Sequence, residues 1–348
     1  MNRQFGAFTG IAMMLIVLNH AISLGLDALS SAGIASVTGW ELVLLSTFQA
    51  FGAFAVPIFF FVSGSFVAYA AQGDPPKLSR KFLWSSLRHI LSPYLIWSAI
   101  FYLVIFFQRQ EVYSLPGYAK NLLVGYPYHF IPLLVFFYLI SPLLVIIAKR
   151  YGLALLLLIG LYQLFSINVV YPGSLGITFP EWTRLLTPPV LRTTIADWAI
   201  YFPFGLVYGL HTKQMLPWMK QNAWWLLIIT VLIFVAGMLD AFKVITFPLA
   251  RFLCPLTFTF ALPAITRDRI PLVRSFEKLG KRSYGLYLTH LIVLDITLLL
   301  VNALVAGVLG LPWLLIPLLF ILGLLVPMGI MELAARGPTR RVYRYLFG

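Results

Sequence analysis

The chain has 348 residues, 61% of them hydrophobic and only 10% charged, with a mean hydropathy of +0.92. Soluble domains are nearer half apolar and a quarter charged. A disordered chain, a disulfide scaffold and a soluble nucleic-acid binder are thereby excluded, and a polytopic membrane protein is left.

The net charge of +14 reflects 25 Lys and Arg against 11 Asp and Glu. In a membrane protein such an excess belongs to cytoplasmic loops, where basic residues set orientation. The one cysteine, Cys254, sits in an apolar stretch and reads as a packing residue.

Crossing the hydrocarbon takes about 20 apolar residues in a helix, since no backbone amide there can be left to water. Ten runs qualify in chain order: 5–26, 46–71, 90–107, 130–148, 151–170, 197–211, 223–242, 247–265, 283–305 and 311–333. No A-x-A-like site closely follows the first run, so it is expected to remain as a helix. The third and sixth are short, and Pro57, Pro203, Pro255 and Pro327 predict kinks. With the N-terminus inside, 19 basic residues fall on the inner side and six, including Arg109, on the outer. The fold class is therefore all-α: one transmembrane helix bundle over residues 1–348, about ten spans, both termini cytoplasmic.

Ionisable residues inside spans mark sites or helix contacts, because a lone charge in lipid costs several kcal/mol. His20 follows Asn19 and lies about 22 Å from the inner boundary, at about 1.5 Å per residue. Its imidazole suits either proton abstraction near neutral pH or a helix-packing hydrogen bond. His290 ends the stripe Tyr284, Tyr287, His290, whose spacing of three places all on one helix face. That stripe reads equally as a polar path or as glue between helices, and Asp295 lies a turn and a half further on. His129 opens the fourth run at its outer end, where water solvates it readily. Ser63-Gly64-Ser65 in the second run permits a close helix crossing. No histidine stands three or four residues from another histidine or a carboxylate, so no metal is expected. Neither G-x-S-x-G nor a Walker-type loop occurs.

Four segments in order resemble the acyltransferase-3 family of integral membrane acyltransferases. They are Gly10 to His20, Val56-Pro57-Ile58-Phe59-Phe60-Phe61-Val62-Ser63-Gly64, His129 to Leu133 with Tyr138 to Pro142, and Leu279 to His290. The resemblance implies ten helices and transfer of an acyl group, most simply acetyl, from cytoplasmic acyl-CoA to a hydroxyl or amine of a cell-surface or lipid-linked sugar. It implies O-acetylation of a polysaccharide or related glycan, in a bacterial cytoplasmic membrane, with acyl-CoA as co-substrate and no bound cofactor. His20 would be the general base. Asn19, Ser63, His129, Tyr284, Tyr287 and His290 would line the substrate channel. The coenzyme phosphates would stay at the basic inner face, where Arg80, Lys81, Arg88, Arg267, Arg274 and Arg282 can pair with them. The family commonly carries an arginine eleven residues before the first-helix histidine; Thr9 stands there in this chain, with Arg3 nearby. An exporter of polysaccharide or glycolipid on the same fold, without acyl transfer, is the alternative.

Overall fold

The computed structural model describes residues 3–33, 37–71, 73–336 and 338–348; the side chain of Arg109, one of the six outer cations, lies outside that description. Fifteen α-helices and no strand occur among the described residues. In chain order they are α1 (Arg3–Ser31), α2 (Gly39–Ala50), α3 (Ala55–Ala70), α4 (Arg80–Arg109), α5 (Leu115–Val124), α6 (Phe130–Val170), α7 (Arg192–Trp198) and α8 (Tyr201–Leu210). There follow α9 (Thr212–Gln221), α10 (Ala223–Ala241), α11 (Ala250–Ala261), α12 (Val273–Gly280), α13 (Ser283–Leu304), α14 (Pro312–Arg336) and α15 (Tyr343–Phe347).

Seven of the described helical stretches are long and apolar enough to cross a membrane. They differ from the ten runs for local reasons. The fourth and fifth runs are joined as α6, whose backbone leaves helical geometry at Tyr151 (φ −131°, ψ 39°), directly after Lys149 and Arg150. The sixth and eighth runs hold only short apolar helices, α8 and α11, the latter continued by a 3-10 turn to Ala264. The second run is longer than its apolar core suggests. A single stretch runs from Gly39 to Ala70, with a 3-10 turn at Phe51–Phe54 between α2 and α3. Pro57 explains that turn, since its ring nitrogen has no hydrogen to donate to the carbonyl of Ala53.

Two units divide the chain. The first comprises residues 1–5, 56–87 and 123–273, and thus α3 and α6 to α11. Its interior is aromatic: Phe60, Phe61, Tyr201, Phe202 and Phe204 are almost wholly buried. Phe137 stacks on Phe202 with centroids 4.9 Å apart. Backbones meet where α3 crosses α8. A methyl added at Gly64 would lie 2.0 Å from the Phe202 carbonyl oxygen, and one at Gly205 would lie 1.9 Å from that of Phe61. Ser65 uses this closeness, donating to the carbonyls of Phe61 (2.9 Å) and Gly205 (3.1 Å).

Between α7 and α8 the helical ladder is opened by a side chain. Gln163 of α6, fully buried, donates from Nε2 to the Ala196 carbonyl at 2.9 Å. Its Oε1 accepts the Ile200 amide at 2.8 Å. In an unbroken helix those two backbone groups would bond each other. One amide side chain thus splices the break, three residues before Pro203.

The second unit comprises residues 6–55, 88–122 and 274–348. Here α1 packs with α13 and α14 through Ala21, Leu294, Val301, Leu315 and Leu319. A smaller cluster of Ile22, Leu45 and Ile316 joins α2 to them. Trp40 and Trp313 stack at 5.5 Å, and the Trp313 indole donates to Glu41 at 2.7 Å. These are groups suited to a membrane interface, apolar in body and polar at one end. The short helix α15 docks within this unit: the Trp97 indole donates to the Leu346 carbonyl at 2.6 Å, and the Phe347 ring lies 5.8 Å from Trp97.

Candidate active site

Two histidines far apart in sequence meet in the second unit. The rings of His20 on α1 and His290 on α13 lie with centroids 5.3 Å apart and planes inclined by 44°. His290 is wholly buried, while His20 is half-buried. The Nδ1 of His290 lies 2.7 Å from the Tyr287 carbonyl oxygen and 3.2 Å from that of Leu286. A carbonyl can only accept, so Nδ1 carries the hydrogen and donates. In the neutral ring the lone pair is then on Nε2, which has no hydrogen-bond partner among the described residues. The backbone of α13 fixes the tautomer of His290 directly beside His20.

The neighbours hold this pair in place. The Tyr287 ring lies 5.7 Å from that of His290. Asn19 donates to the Gln49 carbonyl of α2 at 2.9 Å, and Gly52 leaves the room this requires, since a methyl there would come within 2.6 Å of the Asn19 amide. Tyr284 reaches outward instead, its hydroxyl donating to the Ile90 carbonyl of α4 at 2.6 Å. Of the three residues on the sequence stripe, Tyr287 and His290 are thus in contact, while Tyr284 ties α13 to α4.

The expected phosphate ligands differ in what already occupies them. Arg282 is in an ion pair with Glu332, which also pairs with Arg336 at 2.6 Å. Arg88 donates to the Tyr345 hydroxyl at 3.0 Å and lies 5.0 Å above its ring, a cation–π arrangement. Arg274 is exposed. Ser63, His129, Arg80, Lys81 and Arg267 belong to the first unit. Arg80 and Lys81 are exposed at the start of α4, Arg267 is half-buried in a 3-10 turn, and Ser63 is half-buried beside Gly64. His129 precedes α6 and lies 6.2 Å from the Tyr126 ring. Partial desolvation holds its imidazole below the ordinary range, opposed by a backbone hydrogen bond at Pro127. Among the described residues no three His, Cys, Asp or Glu side chains group as a metal site would require.

Thr9 has a packing explanation. Its hydroxyl donates to the Gly6 carbonyl at 2.9 Å, and the residue is 8% exposed. Across from it Gly280 of α12 has no room for a side chain: a methyl there would lie 1.8 Å from the Gly6 carbonyl and 2.6 Å from the Thr9 hydroxyl. A methyl added at Gly10 would likewise lie 2.1 Å from the Phe276 carbonyl oxygen of α12. An arginine at position 9 would have to separate two backbones in contact. Thr9→Arg is expected to destabilise the protein by about 1–3 kcal/mol, the usual range for overpacking, while Thr9→Ser leaves it near wild type. Thermal unfolding in detergent checks this; equal stability of Thr9→Arg would mean that α12 yields freely.

Sequence reasoning missed two features. One is the contact of His20 with His290, which no local pattern encodes. The other is Gln163, whose signal was available as one of two amides, with Asn168, in the apolar stretch from Leu153 to Val170.

No curated protein and no solved structure matches the chain. A family model, described as an acyltransferase domain of the acyltransferase-3 family, matches residues 7–332. That span is nearly the whole chain and includes both members of the histidine pair. The chain therefore belongs to the acyltransferase-3 family and is a multi-pass membrane acyltransferase.

Proposed function

We propose that the protein moves an acyl group, most simply acetyl, from cytoplasmic acyl-CoA to a hydroxyl or amine of a cell-surface or lipid-linked sugar. The observation that carries this reading is the His20–His290 contact inside the family-matched region. The oxygen or nitrogen of the acceptor attacks the thioester carbonyl carbon while His20 takes its proton. The carbon–sulfur bond then breaks, and the departing thiolate takes that proton back from the imidazolium. The products are the ester or amide and free coenzyme A, and the histidine is restored. His290 is a positioning residue, with its tautomer set by the Tyr287 carbonyl. Charging both rings at once would put two positive charges about 5 Å apart in a water-poor interior. The pair thus suits the uptake of one proton per turnover.

Coenzyme A is too polar to enter lipid, so its phosphates are held at the basic inner face. In the second unit, which holds the histidine pair, Arg274 supplies positive charge there, whereas Arg282 would first have to leave Glu332. The setting is a bacterial cytoplasmic membrane.

The test supplies acetyl-labelled acetyl-CoA to membranes with and without the protein, and counts label in the glycan and lipid fractions. Label that depends on the protein is the expected result, and the labelled fraction identifies the acceptor class. Absence of label, with authentic host glycan present and longer acyl donors tried, overturns the reading and brings export of a glycan to the front.

A further inference from the structure

Within the second unit the short helix α15 is wedged between two long helices, and its contacts with them differ in kind. On α4 the Trp97 indole donates to the Leu346 carbonyl at 2.6 Å, and its ring lies 5.8 Å from that of Phe347. On α13 Gly285 gives Phe347 its seat, since a methyl added there would lie 2.9 Å from the Phe347 Cβ. Phe347 is 4% exposed, and the Tyr343 ring lies 5.1 Å from its own. Helix α15 thus fills the space between α4 and α13. The charge bias puts this end of both helices at the inner face. Gly285 stands five residues before His290, about 7.5 Å along the axis of α13 at about 1.5 Å per residue.

The contact of α15 with Arg88 of α4 is of another kind. The guanidinium donates from Nη2 to the Tyr345 hydroxyl at 3.0 Å and lies 5.0 Å above that ring. Both residues are exposed. At an exposed site a ring face and a neutral hydroxyl are weak partners for a guanidinium. A phosphate is a stronger one, because its charged oxygens take two parallel N–H donors at once. A phosphate at the inner face therefore draws Arg88 away from Tyr345, and α15 is then held less tightly against α4.

We infer that Arg88 and Tyr345 form an exchangeable clasp: a phosphate-bearing ligand takes Arg88 and loosens α15 from its seat between α4 and α13, opening an approach to the inner end of the helix that carries His290. The phosphate can belong to acyl-CoA or to an anionic lipid headgroup. In the first case the inference rests on the acyl-CoA reading of the reaction, while the loosening of α15 can be measured apart from turnover.

Amide hydrogen exchange in residues 343–348 of the full-length protein provides that measurement. There the amides of Tyr345 and Leu346 donate to the Val342 carbonyl and that of Gly348 to the Arg344 carbonyl, so loosening exposes them to exchange. The probes are CoA added to the protein in uncharged detergent, and phosphatidylglycerol nanodiscs without CoA, compared with phosphatidylcholine nanodiscs. Exchange at least fivefold faster is expected with one of these probes, the reverse of the protection that bound ligands ordinarily give. A response to CoA assigns the phosphate to the coenzyme, and a response to phosphatidylglycerol alone assigns it to the headgroup. Tyr345→Ala is expected to exchange at the faster rate without any ligand, and Arg88→Gln to lose the response. With the coenzyme as ligand, Tyr345→Ala should also lower the acetyl-CoA KM at least threefold, whereas a merely structural Tyr345 would leave it unchanged or raise it. Exchange slowed or unchanged by both probes, or a Tyr345→Ala protein that exchanges as slowly as wild type, would overturn the inference. Faster exchange with CoA but no acyl transfer by the wild type would leave the clasp standing and remove the acyl-CoA reading. Transfer without an exchange response would do the reverse.

Discussion

Membranes carrying His20→Ala are expected to transfer ~10²–10⁴-fold less label than wild type, the range lost when a positioned general base is removed. The variant should keep its fold, because the half-buried His20 ring contributes contacts with His290 that alanine leaves as space. Monodisperse elution and a melting temperature close to wild type are therefore part of the expected result. A His290→Ala variant separates two roles. A positioning residue lowers turnover less than the base does and alters the pH–rate profile of the enzyme that remains, because the proton on His20 then has a different neighbour. If His20→Ala turned over at the wild-type rate while His290→Ala did not, the base would be His290. If both turned over normally, the pair would be structural. Labelled acetyl-CoA measured at several pH values distinguishes these outcomes.

The largest stability effect is expected from Gln163→Leu. Leucine keeps much of the volume but returns the Ala196 carbonyl and the Ile200 amide to an interior without water. Each buried unsatisfied group costs about 1–3 kcal/mol, so a loss of roughly 2–6 kcal/mol follows. That approaches the whole stability of many proteins. The variant should accumulate poorly and melt well below wild type. Gln163→Glu is the informative control: as the neutral acid it keeps an acceptor for Ile200 and an O–H donor for Ala196, and should stay nearer wild type than Gln163→Leu. A Gln163→Leu protein as stable as wild type would show that α7 and α8 close into a continuous ladder without the splice. Pro203 argues against that closure, because it leaves the Ala199 carbonyl without an amide four residues on.

The parts of the fold that could be read from sequence are those governed by local chemistry. Lys149 and Arg150 interrupt an otherwise apolar stretch, and a pair of cations cannot sit in hydrocarbon, so the break in α6 falls where they stand. Polar residues at the start of α2, among them Glu41, lowered the hydropathy enough to hide a helix that begins at Gly39 rather than near 46. The 3-10 turn at Phe51–Phe54 left no mark beyond Pro57. The same division holds for the site. His20 and His290 each stand out as ionisable residues in apolar helices. Their contact does not, because 270 positions separate them and only the packing of α1 on α13 brings them together. Thr9 illustrates the limit in the other direction. As a sequence departure it concerned chemistry, yet in three dimensions it marks how closely α1 and α12 approach.

Helix α10 has a consequence for where the protein can reside. It is 19 residues long; one face, with Ile228, Val231, Leu232 and Val235, is exposed to acyl chains, while Thr230 on the other donates to Thr257 of α11 at 2.9 Å. At about 1.5 Å per residue it spans about 28 Å, close to a hydrocarbon thickness of roughly 30 Å. Trp224 and Trp225, 73% and 67% exposed, stand at one end and fix its depth at the interface. A helix with no surplus length cannot answer a thicker bilayer by tilting less. In reconstitution, lipids with longer tails should therefore strain this helix first, and activity across a series of acyl-chain lengths should peak near its span and fall on the thicker side.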